Sequence, residues 1–371
     1  ELLKHGLPPI ILRALLYMYL NSSAQVRWNG VTSSKFTVSN GVHQGAVLSP
    51  FLFNIYVDDL IQKVKSDGYG CWLGTEYYGI LVYADDILLL SPTVHGLQEM
   101  LHTCNKFGIT TGLTFNAKKT MCINFHTAIK CQTKTLHPTV YLGKVKLEWS
   151  HKVKHLGHVL TCCNSFDSDI TIRKGQFIAC VNNINTEFTF AHPLCRTRLL
   201  QIHGTSFYGS SLWDLYGSEI NSLYTTWNIG LRTLLCLPYR THTRFLDQIS
   251  NMTHIRNSLK SRFIKFVSKL VQSDNSLIQL LLLQCISDNR TTTGHNISQI
   301  HVEYDIDKIT PPNFNEVYHI ICKKKYDIHL EPVDIDACNV IKELVDCLHG
   351  IAECGLDVAD IRYMVNCLAT E

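Results

Sequence analysis

The first 57 residues of this 371-residue chain contain no aspartate, and Glu1 is their only acid. Carboxylate chemistry must therefore come from Asp58 onward. Charge of either sign is sparse: 34 Lys and Arg oppose 31 Asp and Glu, leaving +3, so no global basic field announces a polyanionic partner. The apolar run from Ser276 to Leu283 falls far short of the ~20 residues a membrane span needs, and Pro8, Pro9 and Arg13 argue against a span at the N-terminus. Fifteen cysteines are present without a single Cys-x-x-Cys, and the spacing of Cys338, Cys347, Cys354 and Cys367 is irregular, so zinc is not expected. With no signal peptide, these thiols read as small hydrophobes in a reducing compartment, nuclear or cytoplasmic rather than secreted. No internal repeat or low-complexity tract is visible.

What is present begins with Tyr83-Ala84-Asp85-Asp86, set between the apolar runs Gly79-Ile80-Leu81-Val82 and Ile87-Leu88-Leu89-Leu90. The flanks predict two strands, apolar without alternation as in strands buried on both faces. The turn would present two carboxylates at a concave surface. Adjacent like charges repel, and hard divalent ions bound by oxygen ligands are the usual remedy. An Asp-Asp pair is also an ordinary turn, since Asp is a good turn former. A duplicate, Tyr56-Val57-Asp58-Asp59, lies where Leu52, Tyr56, Leu60 and Val64 recur at helical spacing, so those acids are assigned to a helix face.

Upstream, Gly41-Val42-His43-Gln44-Gly45 places a glutamine between glycines that permit close backbone approach to a ligand. Ser49-Pro50 then reads as an N-cap followed by proline at the first helical position. Downstream come Gly112-Leu113-Thr114-Phe115-Asn116-Ala117-Lys118-Lys119-Thr120 and His155-Leu156-Gly157-His158.

In this order the elements resemble the reverse-transcriptase domain of non-LTR (LINE-type) retrotransposons. Gly41 to Tyr56 is similar to the family's Gly-x-x-Gln-Gly-x-x-Leu-Ser-Pro-x-Leu-Phe-x-x-Tyr element, Tyr83 to Asp86 to its catalytic hairpin, and Gly112 to Thr120 to its Gly-Leu-x-x-Asn-x-x-Lys-Thr loop. Leu156-Gly157 resembles the primer-grip hairpin. The resemblance continues through Tyr208–Leu215, Trp227–Arg232 and Leu237–Thr243 to about residue 250.

It implies an RNA-directed DNA polymerase in which a DNA primer's 3′-hydroxyl attacks the α-phosphate of a deoxynucleoside triphosphate on an RNA template. Asp85 would hold the ion nearer the chemistry and Asp86 would be an auxiliary ligand, with two Mg2+ or Mn2+ ions in a complete site. Gln44, with Gly45, would position template base and nucleotide, and Leu156 and Gly157 would meet the primer. Tyr83 either approaches the primer or packs in the core. Lys119 either protonates the pyrophosphate or is a loop lysine. The family also uses a third carboxylate, in a Phe-Asp strand upstream of the glutamine element, which the stretch before Val57 does not supply. The chain is therefore expected to be an N-terminally truncated segment without fingers, inactive alone; the alternative is a non-catalytic nucleic-acid-binding remnant.

The expected fold is α+β. A partial palm of antiparallel sheet and helices spans 1–168, a helical thumb-like region 169–290, and a linker with a C-terminal helical region of unknown role 291–371. Helices are predicted over 7–20, 51–65, 95–107 and 335–370, strands at 25–28 and 35–38 joined through Asn29-Gly30, and mostly strands over 121–160. Lys144, Lys146, Lys152 and Lys154 surround the primer-grip element. Arg256, Lys260, Arg262, Lys265 and Lys269 lie along one amphipathic helix that could track phosphates.

Overall fold

The computed structural model describes residues 2–38, 41–42, 45–125 and 137–304. The predicted helix over 335–370 lies outside them. The chain divides into two compact units, one of residues 1–122 with 136–148 and the other of 123–135 with 149–371. The fold is α+β, as expected, but no described sheet exceeds two strands.

The first unit opens with α1 (Pro9–Leu20), where Pro9 sits at the start and none of the residues is buried. Four two-residue strands follow: β1 (Ser23–Ala24), β2 (Arg27–Trp28), β3 (Val31–Thr32) and β4 (Phe36–Thr37). Asn29-Gly30 closes a tighter hairpin than predicted, pairing Trp28 with Val31. Both turn residues have positive φ, 45° and 79°, the requirement of a type I′ turn. The outer pair, Ala24 with Phe36, then forms a second ribbon beyond it.

Helix α2 (Ser49–Ser66) starts one residue earlier than the Ser-Pro pair suggested. Leu48 is the N-cap, without a side-chain cap bond, and Ser49 is already helical. Its buried stripe is Val57, Leu60 and Val64 rather than the series through Leu52 and Tyr56. The i, i+3, i+7 spacing of that stripe fits 3.6 residues per turn better than strict fours. Tyr56 is exposed, and its hydroxyl donates to the Thr111 carbonyl at 2.6 Å. After β5 (Trp72–Leu73) and β6 (Glu76–Tyr77) come β7 (Ile80–Tyr83) and β8 (Asp86–Leu89), then α3 (Val94–Thr111). Thr93 caps α3 by accepting from the Gly96 amide, and Gly112 ends it in the left-handed region at φ 76°. Met100, Cys104 and Phe107 of α3 join the α2 stripe and Ile80 in one core. Strands β9 (Met121–Cys122), β10 (Tyr141–Leu142), β11 (Val145–Lys146) and β12 (Glu148–Trp149) complete the series to the unit boundary.

The second unit begins its regular structure with the ribbon β13 (Lys152–His155) and β14 (His158–Thr161). It continues through α4 (Asp167–Glu187), α5 (Pro193–His203), α6 (Asn221–Leu234), α7 (Leu246–Ser250), α8 (Ile255–Val271), α9 (Ser276–Ser287) and α10 (Thr292–Glu303). Its core is aromatic: Phe177 of α4 stacks on Phe207 and Trp227 at centroid distances of 5.9 and 5.4 Å. Thr291–Asn296, predicted as a linker, is instead the capped start of α10. Thr291 Oγ1 accepts from the Gly294 amide, and the wholly buried Asn296 donates to the Trp213 carbonyl and accepts from the Leu215 amide. A run of threonines before glycine is as good a helix cap as it is a loop.

Two outcomes test this packing. A Cβ at Gly230 of α6 would lie 2.7 Å from Phe177 Cε1 on α4. Gly230→Ala gains ~1 kcal/mol of helix propensity but loses ~1–3 kcal/mol to overpacking, so net destabilisation is expected in urea unfolding.

Asp247 supplies the second. Its Oδ1 is buried without a hydrogen-bond partner among the described residues, and burial pushes its carboxyl from 3.8 up to about 7. The native state therefore binds the extra proton between these values, and Asp247 destabilises the fold progressively as pH rises through that window. Asp247→Asn should raise stability by on the order of 2–4 kcal/mol at pH 8 and by little at pH 4, read from Tm against pH.

Candidate catalytic hairpin and braced ribbon

Tyr83 pairs directly with Asp86, leaving Ala84 and Asp85 as a two-residue turn between β7 and β8. Ala84 takes φ 50°, a conformation that costs a non-glycine residue roughly 1–2 kcal/mol and therefore needs support. The support is one-sided. Ile80 is buried, with Val82, Ile87 and Leu89 half-buried against the α2–α3 core. Leu81 and Tyr83 are exposed on the other face, Tyr83 at 67%. The expectation of strands buried on both faces is thus corrected, and so is the core-packing option for Tyr83. The pleat sends alternate residues to opposite faces, and only one face meets helices.

Both Asp85 and Asp86 are exposed at the hairpin tip. Two adjacent carboxylates offer the hard oxygen donors that Mg2+ or Mn2+ prefers. Among the described residues no group of three or more His, Cys, Asp or Glu gathers to hold a metal ion. The residues present fit the chemistry of a divalent ion while supplying only part of a coordination shell. Asp58 and Asp59 lie within α2, as their helical spacing predicted.

The Gly112–Thr120 loop lies in the same unit. Gly112 is the helix cap already described, and Asn116 builds a local turn in which its Oδ1 accepts from the Lys118 and Lys119 amides at 3.1 and 3.2 Å. The turn uses the Asn116 side chain and only the backbone of the two lysines, and it leaves Lys119 exposed. Gly41 and Gly45 both take positive φ, 94° and 84°, in an exposed loop. Gln44 lies outside the described residues.

Leu156 and Gly157 belong to the second unit, where they form the two-residue turn of the β13–β14 ribbon with φ 46° and 81°. A network the sequence reading did not anticipate braces this turn. Arg173 of α4 donates to the Gly157 carbonyl at 2.7 Å, and the Tyr208 hydroxyl donates to the Leu156 carbonyl at 3.1 Å. Asp169, buried at the start of α4, accepts from Trp213 Nε1 at 2.8 Å and sits 3.6 Å from His158 Nδ1 and 3.8 Å from Arg173. The His158 ring stacks on Tyr208 at 5.0 Å. A Cβ on Gly209 would fall 1.6 Å from His158 Cε1. Leu156-Gly157-His158 and Tyr208-Gly209, noted as separate motifs, are therefore one interlocking contact. The missed members are Asp169 and Arg173, whose i, i+4 spacing was the available signal.

The basic helix is also corrected. Lys260 is buried and pairs with Glu303 at 2.5 Å. Arg262 donates to the Ser206 and Thr205 carbonyls, and Arg256 lies 4.4 Å over the Tyr224 ring. Lys260 and Arg262 are thus held by acceptors inside the protein, and the exposed Arg256 packs against an aromatic ring, because long basic side chains reach across the helix to neighbouring elements. Lys144, Lys146, Lys152 and Lys154 are exposed, and Lys152 Nζ contacts Ser168 Oγ at 2.6 Å.

Residues 1–160 match the family described as "Reverse transcriptase (RNA-dependent DNA polymerase)". The chain is 38% identical over 96 residues to the "Retrovirus-related Pol polyprotein from type-1 retrotransposable element R2" of Popillia japonica, covering 26% of this chain and 14% of the relative. The Nasonia vitripennis protein of the same description is 31% identical over 144 residues, covering 39% and 13%. The "RNA-directed DNA polymerase from mobile element jockey" of Drosophila funebris is 23% identical over 291 residues, covering 75% and 31%. The chain thus spans less than a third of each of these relatives.

The first 160 residues are a reverse-transcriptase domain. The R2 and jockey proteins that the chain is similar to are named for mobile elements, the kind of protein that the motifs resemble.

The brace carries its own test. Asp169→Asn preserves an acceptor for Trp213 but removes the charge facing buried Arg173. Stability should fall by about 3 kcal/mol, and hydrogen exchange at the 156–159 turn should accelerate. Unchanged exchange there would show that the ribbon holds its turn unaided.

Proposed function

We propose that the chain is the polymerase segment of a non-LTR retrotransposon protein, transferring deoxynucleotides to a DNA primer on an RNA template. The observation that carries this reading is the exposed Asp85-Asp86 pair at a strained hairpin tip, inside a segment that matches the reverse-transcriptase family. In the reaction the primer 3′-oxygen bonds to the α-phosphorus, the bond to pyrophosphate breaks, and the hydroxyl proton passes to solvent water. Asp85 and Asp86 offer oxygen donors to two divalent ions, whose contribution when bound is hydroxyl activation and charge neutralisation.

Tyr83, exposed on the open face beside Asp86, is free to meet a strand end laid over the hairpin. Lys119 presents an exposed ammonium, suited to donating a proton to leaving pyrophosphate. Gln44 would position template and nucleotide, and the Leu156-Gly157 turn would meet the primer. Its two carbonyls already accept from Tyr208 and Arg173, so the turn is held before any strand arrives. Among the motif residues only Asp85 and Asp86 are assigned as metal donors, and with these two carboxylates residues 1–371 alone are proposed to bind nucleic acid without efficient turnover.

Primer extension on a homopolymer RNA template tests this. The expected result is duplex binding by residues 1–371 with extension slower by roughly 10³-fold, about 4 kcal/mol of lost transition-state stabilisation, than a longer chain carrying the upstream Phe-Asp strand. Asp85→Ala should abolish extension by that longer chain and leave duplex binding intact. Rapid extension by residues 1–371, removed by Asp85→Ala, would overturn the expectation of slow turnover with two carboxylates; extension indifferent to Asp85→Ala would overturn the site.

A further inference from the structure

The second unit contains a cavity of about 410 Å³ lined by the segment before α6, the starts of α6 and α8, and the last turns of α10. Its size lies in the range of small-molecule sites. We propose that this cavity takes one unstacked nucleotide of a nucleic-acid strand. The inference rests on the reading that this chain handles nucleic acid, but it concerns a site in the other unit from the catalytic hairpin.

The lining has the three chemistries a nucleotide needs. Arg256 is exposed, with its guanidinium carbon 4.4 Å from the Tyr224 ring centroid and free of any carboxylate among the described residues. A guanidinium plane backed by an aromatic is a stacking surface for a base and a donor fork for phosphate. Asn221, Asn257 and Gln299 line the same cavity, and their side-chain amides have no hydrogen-bond partner among the described residues. Carboxamides present both a donor and an acceptor, the pattern that reads a base edge.

The local charge favours an anion. Arg256 and Lys260 outweigh Glu303, both of whose oxygens already accept from Lys260 while one also accepts from the Tyr216 hydroxyl. His254, which caps α8 by accepting from the Arg256 amide and lines the cavity, feels this field. Burial first, then Arg256 and Lys260, hold its pKa down at about 4. The imidazole is therefore neutral at pH 7 and leaves the anion to Arg256. Lys260, held between the Tyr216 and Tyr304 rings at 5.1 and 5.5 Å, fixes the floor.

The test uses the full chain in EDTA, so that binding is read without any metal, and variants of the cavity lining separate this site from the hairpin unit. Fluorescence anisotropy of labelled (dT)12 is followed, with AMP and inorganic phosphate as competitors. Saturable binding is expected, displaced by AMP and far less by phosphate, with the oligonucleotide binding tighter than AMP. Arg256→Gln and Asn257→Asp should each weaken AMP binding about tenfold, roughly 1.4 kcal/mol, at unchanged Tm. Lys269→Gln removes the same charge from an exposed position of the same helix and should change it less than about twofold.

Equal loss in Lys269→Gln would mean diffuse electrostatics and overturn the proposal. Equal competition by phosphate would reduce the site to an anion site. AMP binding as tight as the oligonucleotide would assign it to a free nucleotide. Each of these last two results also overturns the proposal. Failure of primer extension, read separately, would leave the binding result standing.

Discussion

The buried carboxylate of Asp169 is the constraint on which the second unit's candidate surface depends. A buried charge is tolerated only when hydrogen bonds and opposite charges repay its desolvation. Here the repayment comes from Trp213, Arg173 and His158, which belong to three different stretches of chain. The carboxylate thereby ties the ribbon, the start of α4 and the segment before α6 to one point. A two-stranded ribbon is marginal by itself, so the exposed turn at Leu156-Gly157 takes its definition from the helical core behind it. The turn carbonyls accept from Arg173 of α4 and from the exposed Tyr208.

The hairpin in the first unit solves the same problem with different chemistry. Its turn also carries a residue in the left-handed region, Ala84, but no polar brace is described around it. Four apolar side chains on one face lean on the α2–α3 core instead. That choice follows from what the turn displays. Carboxylates at the tip and an open face beside them leave only the rear of the ribbon for anchoring, and the rear is apolar. A neutral turn such as Leu156-Gly157 can tolerate cations beside it, whereas an Arg bracing Asp85 or Asp86 would compete with any metal for their oxygens.

Much of the fold was legible because its signals are local. Asn29-Gly30 and Leu156-Gly157 announce turns through positive-φ chemistry, Gly112 announces a helix end, and the apolar spacing around Val57 announces α2 even though the stripe was misplaced. The unanticipated features are pairings across long sequence separations. Lys260 meets Glu303 and Asp169 meets Trp213 more than forty residues apart, and no periodicity encodes such partners. Thr291–Asn296 failed for another reason. Threonine and glycine serve loops and helix caps alike, and burial of Asn296 against the Trp213 and Leu215 backbone decides between them. For the candidate site, Asp85, Asp86 and Lys119 stand exposed where the motifs suggested. The brace behind Leu156 and Gly157 was invisible because Asp169 and Arg173 resemble any acid–base pair near a helix start.

The same distinction governs how charge should be counted. With a formal charge of only +3, any grip on a phosphate backbone must come from local clusters. The basic residues of α8 appear on a helical wheel to be such a cluster. Yet Lys260 neutralises Glu303 and Arg262 satisfies two carbonyls that would otherwise lack those donors. A cation already hydrogen-bonded inside the protein releases no counterion when nucleic acid arrives, and so contributes nothing to the salt dependence of binding. The electrostatic footprint is therefore set by residues whose charge reaches solvent, the exposed lysines of the β10–β11 and β13–β14 ribbons and Arg256 among them. Sequence charge runs overstate that footprint wherever long basic side chains also serve as braces.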